Sequence, residues 1–312
     1  MTPAAPQSAS FTGASENTLV ADRYGDGGLV ALLLHGGGQT RHAWRKAAVR
    51  LAGAGWTVYA LDQRGHGDSE WIAQGRYEFA DFAADATRVA GTLTARHGMR
   101  PVAVGASLGG IAALIAEGAA REQGREGVFG GLVLVDITPR VDPSGVDKVR
   151  GFMREHAQEG FPSVQAAADA VAAYLPHRPR PRSLDGLEKN LRLHHDGRWR
   201  WHWDPRFLDG PRAVGAHRHD TEDALVRAAR TIEVPALLVR GGSSELVNEA
   251  HAREFLELVP HAEYVDVSGA RHMVAGDQND DFAAAILGFL SRIKGDSRDS
   301  EPAFEAAPPA RP

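Results

Sequence analysis

The stretch VAVGASLGGIAALIAEG, from Val102 to Gly118, is an apolar run with a serine near its centre. It is shorter than the roughly 20 apolar residues that a membrane span needs, and Glu117 interrupts it. Gly105 and Gly109 stand two residues before and two residues after Ser107. A strand that turns sharply into a helix at a serine needs small residues at those places, because a Cβ there would collide across the turn. The sequence therefore predicts a strand, a tight turn and a helix, with the serine hydroxyl exposed on the turn.

The composition excludes several other kinds of chemistry. With 312 residues, 43% of them hydrophobic, the chain has room for one large domain with an insertion, or for two smaller domains. Because there is no cysteine, disulfides, thiolate nucleophiles and cysteine-bound zinc are excluded. The net charge of -5 gives no general attraction for nucleic acid or anionic lipid. The first residues, MTPAAPQSAS, lack the basic and apolar parts of a secretory signal. We expect a soluble cytoplasmic monomer or homodimer with neither a nucleic-acid nor a membrane partner.

Short apolar runs alternate with longer helical patterns along most of the chain. The apolar runs occupy residues 29–35, 56–62, 101–106, 131–136, 235–240 and 262–267. Helices are predicted at residues 41–54, 78–97, 108–120, 248–258 and 279–293. Continuously apolar strands separated by helices indicate a mostly parallel, doubly wound sheet that is covered on both faces. The predicted fold class is therefore α/β.

The alternation stops between Asp136 and Pro235, where about a hundred residues hold several helical patterns without an obvious strand of the sheet. Such a break indicates an insertion, or cap, in a regular domain. The two ends of the chain are rich in Ala, Pro, Ser and charge, which is typical of disorder. The predicted division is a core domain of residues 16–138 and 232–294, a helical cap of residues 139–231, and disordered tails of residues 1–15 and 295–312.

A serine on a sharp turn becomes a nucleophile only with a base and an acid, which follow it in the chain order Ser, acid, His in this type of fold. His272, in SGARHMVAGD, lies in the loop between the last predicted strand and the last helix, where the base is needed. Backbone N–H groups must also stabilise the negative oxygen of a tetrahedral intermediate. The sequence indicates Leu108, directly after the serine, and Gly37 in HGGGQTRHAW as donors, with Gly38 beside the substrate.

Four motifs together resemble the α/β-hydrolase superfamily over residues 17–293: HGGGQTRHAW, LDQRGHGDSE, VGASLGG and GARHMVAGD. The resemblance is strongest to the capped branch that includes esterases, meta-cleavage-product hydrolases and cofactor-free peroxidases. It implies the α/β-hydrolase fold and a Ser-His-acid triad. Epoxide hydrolases and haloalkane dehalogenases of this superfamily carry an aspartate as nucleophile, so Ser107 argues against both activities.

The acid of the triad stays open between two residues. The family usually places an aspartate a few residues after the strand that is PALLVR here, but this loop reads GGSSELVNE and offers Glu245. Glu245 can serve if the loop is one residue longer, and its location favours it. The alternative is Asp136, which ends the strand GLVLVD and occupies a position that some lipases of this fold use.

Other conspicuous residues have less direct roles. Trp199, Trp201 and Trp203 alternate along DGRWRWHWDP and would share one face of an extended strand, either as packing inside the cap or as an apolar wall over substrate. The polar residues of LDQRGHGDSE are expected to fix a turn beside the site. The remaining histidines of note lack acidic or cysteine partners at a metal-ligand spacing, so no metal is predicted: His194, His195, His202, His217 and His219.

The sequence as a whole predicts a serine hydrolase that cleaves carboxylic esters of small to medium apolar acids through an acyl-enzyme, acting on a small-molecule ester without a cofactor. The same triad would also suit a carbon-carbon bond hydrolase or a lactonase. A hydrolase-fold protein that binds a small molecule without catalysis is the alternative from another class.

Overall fold

The computed structural model describes residues 5–176, 180, 183–216, 218–267 and 280–299. Its strands, in chain order, are β1 (Gln7–Thr12), β2 (Thr18–Tyr24), β3 (Leu29–Leu34), β4 (Trp56–Leu61), β5 (Val102–Ala106), β6 (Gly131–Val135), β7 (Leu191–Leu193), β8 (Trp199–Trp201), β9 (Ala236–Gly241) and β10 (Glu263–Val267). Its helices are α1 (Arg45–Gly53), α2 (Phe79–His97), α3 (Leu108–Glu122), α4 (Pro143–Glu155), α5 (Val164–Tyr174), α6 (Asp185–Glu188), α7 (Arg206–Asp209), α8 (Arg218–Arg230), α9 (Glu249–Leu258) and α10 (Asp280–Asp299). A short 3-10 helix, Arg41–Trp44, precedes α1.

The central sheet has the strand order β1-β2-β4-β3-β5-β6-β9-β10, and the six strands from β4 to β10 are parallel. In β3, Leu32 and Leu34 pack into the apolar cluster on one face of the sheet, while Ala31 and Leu33 pack into the cluster on the other. Successive side chains of a strand point to opposite faces, so a strand covered on both sides must be apolar throughout. The predicted α/β architecture is confirmed. No helix in the described part of the chain is long and apolar enough to cross a bilayer.

The strand order determines where the candidate site lies. The chain moves from β3 to β4 on one side and then returns to β5 on the other side of β3. At such a switch point the loops that follow the two neighbouring strands diverge and leave a crevice at their carboxyl ends. The loop after β3, which begins at His35, and the turn at Ser107 after β5 border this crevice.

Both predicted tails differ from the structure. The prediction that residues 1–15 form a disordered tail is wrong for Gln7–Thr12, which pairs with β2 in antiparallel register. This edge strand has little apolar pattern, and it is held by backbone pairing and by Phe11, which is buried against Tyr59. At the other end α10 continues to Asp299, so residues 295–299 are helical. The rest of that predicted tail lies outside the described residues.

The predicted cap boundary at residue 231 also differs from the packing. Helix α8 lies against α3, where a Cβ on Gly118 would stand only 2.3 Å from the Cβ of Ala228. Leu225 and Ala229 of α8 belong to the apolar cluster of the main sheet. Two small residues at the crossing allow this close approach, so α8 belongs to the core. Residues 139–216, which carry α4–α7 and the β7-β8 hairpin, are called the insertion below.

The contact between α3 and the sheet generates a stability prediction. A Cβ on Gly109 would lie 2.3 Å from the carbonyl oxygen of Leu34, a backbone atom that the sheet holds in place. We expect Gly109→Ala to lower the free energy of unfolding by about 1–3 kcal/mol or more. Gly91→Ala on α2 is the matched control, because a Cβ there meets nothing within 4 Å, and better helix propensity should leave stability unchanged or raise it by up to about 1 kcal/mol. Urea denaturation measures both; equal stability of the two variants would contradict the packing argument.

Candidate active site

Ser107 lies on a strained backbone turn between β5 and α3. Its φ is 45° and its ψ is -113°, in a region that residues with a side chain rarely occupy. The strain persists because the surroundings determine it: the Ser107 N–H donates to the carbonyl of Val135 at 3.2 Å, and a Cβ on Gly105 would lie 2.5 Å from the backbone of Gly109. The turn presents the hydroxyl at the N-terminus of α3, where the helix dipole favours negative charge.

The loop after β3, His35–Thr40, is called the glycine loop here. The N–H of Gly36 donates to the side-chain oxygen of Gln39 at 3.1 Å. The N–H of Gly38 donates to Nε2 of His66, also at 3.1 Å. Between them, the Gly37 N–H donates no hydrogen bond in the described residues.

The glycine loop and the serine turn face the same space. A Cβ on Gly36 would lie 3.5 Å from the Cβ of Ser107. Leu108 is the first residue of α3, so its N–H has no acceptor within the helix. The N–H groups of Gly37 and Leu108, the two donors predicted from the sequence, therefore make no hydrogen bond within the described structure. They lie on two segments beside the serine.

Two buried histidines, His35 and His66, support the glycine loop. His35 donates from Nδ1 to the carbonyl of Gly36 at 2.8 Å and accepts at Nε2 from the N–H of Gln63 at 3.0 Å. His66 donates from Nδ1 to the carbonyl of Arg64 at 2.9 Å and accepts at Nε2 from Gly38. Burial lowers the pKa of His35 to about 4. Burial, followed by the neighbouring His35, lowers the pKa of His66 to about 3. Both rings are neutral at pH 7 and keep their acceptor nitrogens.

The two candidate acids have different surroundings. Asp136 follows β6 with a φ of 50° and is 0% exposed. Its Oδ1 accepts from the N–H of Gly241 at 3.0 Å, and its Oδ2 accepts from the Ser244 hydroxyl at 2.7 Å. The Glu245 side chain is 30% exposed and lies 3.8 Å from the Lys148 ammonium on α4. Asp136 thus holds its carboxylate inside the carboxyl edge of the sheet, whereas Glu245 points towards the insertion. The predicted base, His272, lies outside the described residues.

A cavity of about 230 Å³ opens above Ser107. Gly37, Gly38 and Leu108 line it together with the serine, so the predicted site residues of the two loops share one cavity. The charged residues Arg150 and Glu222 also border it. Most of the remaining wall is apolar and comes from α3, the chain after β6, the insertion and α8, including Ile111, Ile137, Val149, Phe152, Met153 and Leu225.

Two of the three tryptophans line the cavity, and the third packs away from it. Trp201 and Trp203, which are 8% and 2% exposed, line the cavity. Trp199 does not line it in the described structure. Instead, Trp199 exchanges two backbone hydrogen bonds with Phe161 and packs against the apolar cluster below the insertion. The prediction that Trp199 lies beside the substrate therefore differs from the structure, in which this residue pairs with Phe161 and does not border the cavity.

The LDQRGHGDSE segment forms the turn that was predicted beside the site. Asp62 is buried and accepts hydrogen bonds from the N–H of Arg41, from the Arg41 guanidinium and from the N–H of Asp68. The Ser69 hydroxyl donates to the carbonyl of Asp62 at 2.6 Å. What sequence reasoning missed is the contact of His66 with Gly38, because a histidine in a turn motif gives no sign of which distant N–H it accepts. Among the residues that the structure describes, no group of three or more His, Asp or Glu side chains is arranged to hold a metal ion.

The chain is similar in sequence and in structure to known hydrolases. A family model described as serine aminopeptidase, S33, matches residues 28–279. The esterase Rv0045c of Mycobacterium tuberculosis is 31% identical over 273 residues, which cover 86% of this chain and 85% of that protein. The 2-(acetamidomethylene)succinate hydrolase of Mesorhizobium japonicum is 28% identical over 273 residues, which cover 88% of this chain and 91% of that protein.

A solved structure of E-2-(acetamidomethylene)succinate hydrolase superposes on this chain with a TM-score of 0.77 at 26% identity. The superposition covers 92% of this chain and 99% of that one, so the similarity includes the sheet, its helices and most of the insertion. The family model likewise spans the glycine loop, the serine turn and both candidate acids. The chain therefore belongs to the S33 serine aminopeptidase family and is an enzyme of the α/β-hydrolase fold.

Proposed function

We propose that the protein hydrolyses carboxylic esters of small to medium apolar acids through an acyl-enzyme on Ser107. The observation that carries this proposal is the strained serine at the floor of a largely apolar cavity, next to the N–H groups of Gly37 and Leu108. A serine hydroxyl needs such a setting because the carbonyl oxygen that it attacks becomes negatively charged. The esterase relative from Mycobacterium tuberculosis supports the same reaction type.

In the proposed reaction the Ser107 oxygen attacks the ester carbonyl carbon while His272 removes its proton. The carbonyl oxygen becomes an oxyanion, and the Gly37 and Leu108 N–H groups donate to it. The tetrahedral intermediate then collapses, the bond to the alcohol oxygen breaks, and His272 returns the proton to the leaving alcohol. A water molecule, activated by the same histidine, repeats these steps on the acyl-enzyme and releases the acid. No cofactor takes part.

For the acid of the triad, the surroundings favour Asp136 over Glu245. Asp136 is fully buried, and the two hydrogen bonds from Gly241 and Ser244 fix its carboxylate on the strand next to the serine strand. A carboxylate with two acceptor bonds made still has lone pairs for a histidine N–H. The Glu245 side chain, in contrast, is partly exposed and lies beside Lys148. Asp136 therefore replaces Glu245, which its location in the sequence favoured, as the proposed acid.

The insertion acts as the cap of this proposed site. Met153, Trp203 and Phe207 approach the glycine loop closely enough that a Cβ on Gly37 would lie 3.1 Å from Phe207, and one on Gly38 would lie 2.7 Å from Met153. The cap thereby covers the reacting atoms with apolar side chains. An apolar acyl group gains about 0.8 kcal/mol for each methylene that such a wall buries.

The first prediction of this proposal concerns the nucleophile. Ser107→Ala removes one oxygen from a site that the backbone shapes, so turnover of p-nitrophenyl esters should fall by roughly 10⁴- to 10⁶-fold while the melting temperature stays the same. A fluorophosphonate should label the wild type at one site per chain and leave Ser107→Ala unlabelled. Turnover above a hundredth of wild type would remove Ser107 from the mechanism. Lactones and vinylogous diketones in the same panel test whether another bond is the preferred substrate.

The second prediction ranks the acids. Asp136→Asn keeps the shape of the side chain but can hold the wrong histidine tautomer, so turnover should fall by about 10²- to 10⁴-fold. Glu245→Gln is the matched control and should change turnover by less than about threefold, because its contact with Lys148 is a partly exposed ion pair. Steady-state kinetics at pH 7.5 measure both variants. The opposite ranking would return the role to Glu245.

The third prediction tests which tryptophans line the substrate pocket and which only pack inside the cap. Trp201→Ala and Trp203→Ala should each change the ratio of kcat/KM for octanoate and acetate esters by at least about fourfold, the value of one methylene. Trp199→Ala is the control on the same strand, and it should lower the melting temperature while the ratio stays within about twofold. A constant ratio in all three variants would make the aromatic face purely structural.

A further inference from the structure

Beyond Gly37, two side chains from other parts of the chain hold the glycine loop. The first is His66, 0% exposed, whose Nε2 accepts the Gly38 N–H at 3.1 Å. The second is Asn190, whose side-chain oxygen accepts the Thr40 hydroxyl at 3.0 Å. Thr40 and Asn190 are both buried, so neither bond competes with water. The two contacts lie on either side of Gln39, and both follow the Gly37 N–H in the chain.

Both contacts depend on one part of the insertion, residues 190–204. Asn190 belongs to it, and the carbonyl of Asn190 accepts the N–H of His202 at 2.8 Å. The turn that carries His66 pairs with the same part of the insertion: the Gly67 N–H donates to the carbonyl of His202, and the Asp204 N–H donates to the carbonyl of Gly65, both at 2.8 Å.

This segment therefore contacts the turn that carries His66 and, through Asn190, the glycine loop itself. His66 itself forms an isolated antiparallel bridge with Trp203, a residue of the cavity wall. Its ring also lies edge-on to Phe207 of α7, at 4.9 Å between ring centres. The imidazole is thus enclosed by residues of the insertion as well as by the core.

Glycine makes this support necessary. Three consecutive glycines leave the backbone of the loop with many accessible conformations. An N–H group stabilises an oxyanion well only when its direction is fixed before the reaction, and loss of one such donor costs about 10²- to 10³-fold in kcat. The Gly36 carbonyl, which shares a planar peptide unit with the Gly37 N–H, accepts from Nδ1 of His35 at 2.8 Å and from the N–H of Gln39 at 3.1 Å. Gln39 lies between Gly38 and Thr40, so the contacts of His66 and Asn190 keep its N–H directed at this peptide unit.

We propose that His66 and Asn190 are positioning residues that direct the Gly37 N–H at the oxyanion, so that docking of residues 190–204 completes the oxyanion hole. This inference rests on the proposed ester hydrolysis at Ser107. It assigns the insertion a second task beside covering the substrate. Neither residue touches the reacting atoms, and each acts through the glycine loop.

The sharpest test compares two substitutions of one residue. His66→Gln places an amide oxygen near the position of Nε2 and retains an acceptor for Gly38, whereas His66→Asn is too short for that bond but retains a donor for the Arg64 carbonyl. Both lose the same ring contact with Phe207. We expect His66→Gln to keep kcat within about threefold of wild type and His66→Asn to lower kcat about 10- to 100-fold, with KM within about threefold in both.

A second pair tests the other contact with a smaller change. Thr40→Val removes the hydroxyl with little change in shape and should lower kcat about three- to tenfold at constant KM. Thr40→Ser keeps the hydroxyl and should retain wild-type kcat. The affinity for a trifluoromethyl ketone, whose adduct with Ser107 carries the oxyanion, should fall in parallel with kcat. Thermal melting of all four variants shows which of them fold.

The outcomes separate this inference from the proposed function. A wild-type protein that neither turns over esters nor reacts with a fluorophosphonate overturns both. An active wild type in which folded His66→Asn matches His66→Gln, or in which Thr40→Val matches Thr40→Ser, overturns the positioning role alone. If neither His66 variant folds, the Thr40 pair decides. A loss that appears in KM rather than in kcat and ketone affinity would make both residues structural.

Discussion

The close contact between β5, the turn at Ser107 and α3 is the constraint on which the rest of the site depends. Backbone atoms of Gly105, Gly109 and Leu34 stand so near one another that no side chain fits between them. This packing holds the serine at a positive φ and places the start of α3 directly beside its hydroxyl. The strain is concentrated in one residue, while the buried sheet on both sides supplies the stability that maintains it. Every other proposed component is placed relative to this turn.

Much of this organisation can be predicted from the sequence, because it follows from local rules. Apolar runs of strand length that alternate with helical patterns predict a parallel sheet, and glycines two residues either side of Ser107 predict the turn. The chain order also predicts which loops meet, so Gly37 and Leu108 could be named as donors before their surroundings were known. The family match over residues 28–279 confirms the predicted α/β-hydrolase fold, whereas the two donors stay predictions.

The remaining features depend on contacts between distant residues, which local patterns do not encode. β1 was not predicted because its segment, QSASFT, has little apolar pattern and buries only Phe11 deeply. Backbone pairing with β2 holds this edge strand instead. α8 was assigned to the cap because its amphipathic pattern does not say which partner it packs against. Both candidate acids follow strands of the sheet and lie at the same edge of it. Their environments differ only once the chain is folded: Asp136 is buried and accepts from Gly241 and Ser244, whereas Glu245 is partly exposed beside Lys148.

The position of α8 in the core has an evolutionary consequence. Because α8 packs on α3 through Gly118 and Ala228, the chain leaves the sheet after β6 and has already rejoined the core before β9 begins. Residues 139–216 therefore form a module with both ends on the same side of an intact scaffold. Such a module can lengthen, shorten or be exchanged by recombination without altering strand order. New substrate ranges can then arise at little cost to folding, provided that the replacement still supplies partners for the loop that carries the glycines.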